Sequence, residues 1–150
     1  MYEKILVPLD GSKESETILD HVRMIAGACG NPKVVVLRCV EPFSPSAVNY
    51  VGTDRAQEAL KKETEAAEEY LSYVADSLRT HCGGVETVVV EGRPAEAILE
   101  YADANEVDLI AMTTHGASGP AKWAVGSTTE RVMRHTKSAL LTVTPEGSRA

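Results

Sequence analysis

Five short apolar runs punctuate the chain, with a stretch of helical periodicity between each and the next, and this alternation constrains the fold more than any other feature. The second run, Lys33-Val-Val-Val-Leu-Arg-Cys-Val40, is nearly unbroken. Such a run suits a parallel strand covered on both faces, not one with alternate residues in water. The others are Lys4-Ile-Leu-Val-Pro-Leu9 and residues 85–91, 107–112 and 138–144. Their length is that of buried strands, too short for helices. Strand and helix in strict alternation predict right-handed crossovers, hence an α/β, Rossmann-like fold: an open five-stranded parallel sheet with helices on both faces. At 150 residues the chain is read as one domain, 1–150.

The connecting segments carry their own signals. Ile18, Val22, Ile25 and Cys29 recur at helical spacing after the turn Asp10-Gly11-Ser12. Residues 41–55 hold two prolines and several small polar residues and are read as a loop. A long helix is predicted from about residue 54 to 81, with Leu60, Thr64, Ala67, Leu71, Val74 and Leu78 as its inner stripe. Gly92-Arg-Pro94 turns the chain into another helix, with Pro94 in its first turn. Ser127-Thr-Thr-Glu130 fits a capping box at the start of the last helix.

Ligands of open parallel sheets bind beyond the carboxyl ends of the strands, where the strand order reverses. Pro8, Leu9 and Asp10 end the first run and Met112 and Thr113 end the fourth, so they fall on that rim. They meet if the first and fourth strands are neighbours. After the fourth strand comes a loop bearing Gly116, Gly119 and Pro120, then Gly126-Ser127 and a helix. Strand, glycine loop and helix N-terminus together make an anion site, because unpaired amides and the positive end of the helix dipole point one way. Gly116, Gly126, Ser127 and Thr128 are its candidate donors. Asp10 can accept from ribose hydroxyls or help hold a metal; its other reading is to cap the turn before the first helix. Cys39 and Val40 can wall a flat base or simply fill the core. His115 is the one histidine in this stretch, and loop histidines are mostly solvated.

The excluded classes are informative. A net charge of −7 argues against nucleic acid as a partner. No apolar run is long enough to span a bilayer, and no leader pattern opens the chain, so the expected location is the cytoplasm. Three scattered cysteines show no metal-ligand or disulfide spacing. G-x-x-x-x-G-K-[ST], G-x-G-x-x-G and G-x-S-x-G are absent. Nothing close in sequence serves as a base for a water nucleophile, which favours binding over catalysis, with slow hydrolysis at most.

These residues together resemble the universal stress protein family over nearly the whole chain. Lys4-Ile-Leu-Val-Pro-Leu-Asp-Gly-Ser12 looks like that family's first strand and turn. Thr-His-Gly116, nine residues, Gly126-Ser127 and then Glu-Arg-Val-Met-Arg-His look like its C-terminal signature. The resemblance implies strand order 3-2-1-4-5 and a homodimer paired through the last strand, residues 139–144. It implies a stress-response sensor or regulator that binds ATP, AMP or a cyclic nucleotide, with Mg2+ accompanying ATP. The pattern G-x2-G-x9-G-[ST] marks the ATP-binding branch, and it places Gly116, Gly126 and Ser127, joined by Thr128, on the phosphates. Asp10 would lie by the ribose or metal, Pro8, Leu9 and Cys39 by the base, with Met112 nearby. One departure is Thr113, where the pattern has its first glycine; its side chain either crowds the phosphates or adds a hydroxyl donor. Two rival readings are a nucleotide-free dimer acting by protein contact and an adenylating enzyme. The second lacks a catalytic lysine motif and a substrate-domain insertion.

Overall fold

In the computed structural model, which describes residues 1–115 and 125–145, β1 (Lys4–Leu9) occupies the middle of a five-stranded sheet. β2 (Lys33–Val40) runs parallel along one side, with Lys4 opposite Lys33 and Leu9 opposite Arg38. β4 (Leu109–Thr113) runs parallel along the other, with Ile5 opposite Leu109. β3 (Gly84–Glu91) and β5 (Ala139–Val143) form the edges, so the order is β3-β2-β1-β4-β5 as expected. The chain leaves β1 toward one edge and returns through β4 on the other side. The reversal point is therefore the gap between β1 and β4.

The unbroken apolar runs are explained by two covered faces. On one, Ile5, Val7, Val34, Val36 and Ala111 pack against α2 (Ile18–Ala28) and the second half of α4 (Thr53–Leu78). On the other, Leu6, Val35, Leu37, Ile110 and Met112 meet α5 (Pro94–Ala104) and α6 (Ser127–His135). Residues of one strand thus alternate between two cores, as the two-residue strand period requires. A fully buried leucine or isoleucine contributes roughly 1.5–3 kcal/mol by burial, and Ile5, Leu6, Leu37 and Ile110 are all within 1% of full burial.

Three expectations are corrected. Residues 41–55 are not loop throughout: Pro45–Val51 form a short helix, α3, capped by the Ser44 hydroxyl, which accepts the Ala47 amide at 3.3 Å. It buries no residue, so it leaves no apolar periodicity to detect. α4 ends at Leu78, short of residue 81, and only the Ala67–Leu78 part of its stripe is buried; Leu60 and Thr64 are half-exposed. At roughly 1.5 Å per residue α4 is about 39 Å long, more than β2 and β3 beneath it can cover. The capping box is absent as well. The N-cap of α6 is Gly126, Ser127 is the first helical residue, and Glu130 pairs instead with Arg134 at 2.9 Å.

Candidate functional site

A cleft of about 390 Å3 opens where β1 and β4 end, within the size range of small-ligand sites. Its floor is apolar. Pro8, Leu37 and Met112 present the β1, β2 and β4 ends, and Pro94 and Ile98 of α5 close one wall. Leu9 also reaches it, although its side chain belongs to the core under α2 and α4.

The polar rim begins at the turn after β1. Gly11 has φ +86, a conformation that excludes a Cβ without strain. Asp10 Oδ1 accepts the Ser12 amide at 2.9 Å and the Ser12 hydroxyl. The Asp10 amide donates to Ser15 Oγ at 3.4 Å, and Ser12 caps the short helix α1 (Lys13–Glu16) by accepting the Ser15 amide at 3.2 Å. Asp10 therefore fills the turn role that its position allows, while still lining the cleft.

Across the cleft stands α6. Its first intrahelical bond runs from the Glu130 amide to Gly126 O at 2.9 Å. The amides of Ser127, Thr128 and Thr129 thus have no carbonyl partner in the helix. Among the described residues the Ser127 and Thr128 hydroxyls also lack a hydrogen-bond partner. Both residues line the cleft. The helix is stapled to β4 by two bonds: Gly126 N to Thr114 O at 2.7 Å, and the buried Thr129 hydroxyl to Thr113 O at 2.9 Å. A Cβ at position 126 would stand 2.8 Å from Thr114 O, so glycine is required there by close approach, φ being an ordinary −59°.

Thr113 answers the question raised by its replacement of glycine. Its hydroxyl donates to His115 O at 2.7 Å, folding the strand end back on itself. Its hydroxyl proton is thus engaged within the backbone, while the residue still lines the cleft. His115 is itself buried, with Nδ1 3.0 Å from Thr114 Oγ1, while Nε2 has no hydrogen-bond partner among the described residues. Cys39 lines the base of the cleft and its Sγ donates to Gly92 O at 3.0 Å. Burial pushes its pKa up to about 11, helped by Glu41 and Glu63 and opposed by Arg38, so the thiol stays protonated at neutral pH.

Most of the residues singled out in the sequence therefore surround one space. Val40 does not: it is fully buried and absent from the cleft lining. Gly116 lies outside the described residues. Ser15, Leu37, Glu41, Pro94, Ile98, Thr114 and Thr129 also line the cleft, beyond the residues the sequence points to. For Glu41 and Pro94 the signal existed, since both lie at strand ends or helix starts on the same rim. Among the described residues no three His, Cys, Asp or Glu side chains cluster to hold a metal unaided. Nor is any helix among them long and apolar enough to cross a membrane.

The model of the universal stress protein family matches residues 1–144. Universal stress protein MJ0531 of Methanocaldococcus jannaschii is 31% identical over 151 residues, covering 95% of this chain and 82% of that one. The structure of MJ0577, from the same organism, superposes with a TM-score of 0.86 at 28% identity, covering 98% of this chain and 99% of that one. A universal stress protein solved in complex with cAMP is similar at a TM-score of 0.61 and 25% identity, with 97% and 98% of the chains covered.

Proposed function

The chain belongs to the universal stress protein family, and from that premise we propose that it binds an adenine nucleotide, ATP foremost, as a single-domain sensor or regulator in the stress response. The observation that carries this reading is the pairing, across one cleft, of the Asp10 carboxylate with the donors of the α6 N-terminus at Ser127 and Thr128, which have no partner among the described residues. The donors suit phosphate oxygens, the carboxylate suits a ribose diol, and the apolar floor of Pro8, Leu37 and Met112, with Cys39 beside it, suits a flat base. The relative with bound cAMP supports an adenine nucleotide as the ligand class. With ATP, Mg2+ would be held chiefly by phosphate oxygens, and Asp10 and Glu41 are the carboxylates that line the cleft among the described residues.

The protein acts as a cytoplasmic homodimer joined through β5, which forms one edge of the sheet and pairs only with β4 among the described residues. It turns nucleotide over slowly at most. Mass spectrometry of small molecules released from freshly purified, denatured protein tests the reading, followed by calorimetry with ATP and Mg2+. Near-stoichiometric ATP or AMP, or a binding heat abolished by Gly126→Asp, is the expected result. No nucleotide and no heat at high protein concentration would leave the contact-only dimer as the function.

A further inference from the structure

We infer that Arg38 is a positioning residue for the cleft: its guanidinium covers the turn that carries Asp10 and holds that carboxylate toward the ribose of a bound nucleotide. The inference rests on the nucleotide reading above.

Arg38 sits at the end of β2, directly opposite Leu9 in the β1–β2 ladder, and so one residue from Asp10 across the sheet. Its side chain leaves the sheet on the α4 face, away from the apolar cleft floor. A Cβ built on Gly11 would lie 3.1 Å from Arg38 Nη1, 3.3 Å from Cζ and 3.5 Å from Nη2. Three atoms of the planar group at such similar distances mean that the guanidinium lies face-on over Gly11. Among the described residues it makes no ion pair and no hydrogen bond. An arginine without a partner ordinarily extends its head into water. This one is half-buried, flat against a backbone turn, at the one residue whose missing side chain makes room for it.

The surroundings give the charge a reason to stay. Glu16 of α1, Asp10 of the turn and Arg38 of β2 all act on one buried atom, the Tyr70 hydroxyl of α4, with Glu16 the strongest of the three. Burial and the two carboxylates push the tyrosine's ionisation upward, and Arg38 draws it back. The guanidinium is thus the cation within a small acidic group behind the turn. The Asx turn of Asp10 on Ser12 spans the same Gly11 that the guanidinium covers. A lysine would supply charge without the flat face.

The test compares ATP with 2′,3′-dideoxy-ATP, each with Mg2+, by calorimetry on the wild type, Arg38→Met, Asp10→Ala and the double variant, with thermal melts to verify folding. The wild type is expected to prefer ATP about tenfold, the worth of one hydrogen bond to a carboxylate. Arg38→Met is expected to erase that preference while keeping the dideoxy affinity, and to add nothing in the Asp10→Ala background. Should Arg38→Met fail to fold, Arg38→Lys keeps the charge and is expected to lose the preference in the same way. Equal weakening of both ligands, or a preference that survives in either variant, overturns the positioning role alone. A wild type that binds neither ligand overturns the nucleotide reading and this inference with it. A wild type that binds both equally overturns only the role given to Asp10 and Arg38.

Discussion

Gly126→Ala isolates the contact that fixes the α6 N-terminus. The added Cβ would stand 2.8 Å from the Thr114 carbonyl oxygen, whereas unstrained carbon–oxygen contacts begin near about 3.3 Å. The neighbour is backbone at the end of β4, so relief requires helix and strand to part by roughly half an ångström. That movement stretches the 2.7 Å bond from Gly126 N to the same oxygen. Overpacking costs about 1–3 kcal/mol and a weakened hydrogen bond up to about 1 kcal/mol. The expected loss is about 2 kcal/mol, a fall in melting temperature of about 4–8 °C for a chain of this size. The same displacement moves the Ser127 and Thr128 amides away from the Asp10 side, so ATP affinity should fall as well. Gly27→Ala is the internal control. Gly27 lies in α2 with nothing within 4 Å of its would-be Cβ, and alanine there should stabilise by about 0.5–1 kcal/mol. Urea unfolding followed by circular dichroism measures both. Equal midpoints for Gly126→Ala and the wild type would refute the steric reasoning.

Thr129→Val removes the buried hydroxyl that donates to Thr113 O and should cost about 1–2 kcal/mol in the same unfolding assay; no loss would mean that the staple is redundant. Cys39 makes stability pH-dependent at the alkaline end. Its thiol is protonated in both states below about pH 9; above that the unfolded chain ionises first, so stability falls until pH reaches the folded value near 11. Cys39→Val should reduce that alkaline loss, by at most about 2 kcal/mol, and a pH profile unchanged by the substitution would contradict the assignment. For the same reason the wild-type thiol should alkylate slowly at pH 8, read by mass spectrometry of the labelled peptide. Light scattering should give about twice the 16.1 kDa of one chain, and Thr142→Lys, on an exposed position of β5, should shift the mass toward the monomer. A wild-type monomer would exclude pairing through that strand.

Much of the fold was legible because buried parallel strands leave a compositional trace. The Val34–Leu37 stretch has no polar alternate position, and both of its faces are indeed covered. The α3 helix was not legible by periodicity, since it buries nothing; its only trace was Ser44-Pro45, a cap followed by proline in the first turn. S-x-x-E fits a first-turn serine as well as an N-cap one, and the close approach of Gly126 to Thr114 O, where the cap residue in fact lies, leaves no mark in that spacing. Asp10 and Ser127 could be assigned to one rim from topology, since both follow strand ends. The inward turn of the Thr113 hydroxyl and the Arg38 cover over Gly11 could not. Each depends on a contact set by strand register or backbone curvature, which local composition does not encode.

Thr114 stands at a junction whose two sides face different neighbours. Its amide donates to Val143 O in β5 at 2.9 Å, and its carbonyl accepts from Gly126 at the head of α6 at 2.7 Å. One Cα separates the helix that closes the cleft from the outer edge of the sheet. A displacement of α6 would act on the edge strand through a single residue. Were a partner strand to clamp β5, linkage would run both ways: it would steady the head of α6, and a ligand gripping that helix from the cleft side would alter how readily the edge receives the partner.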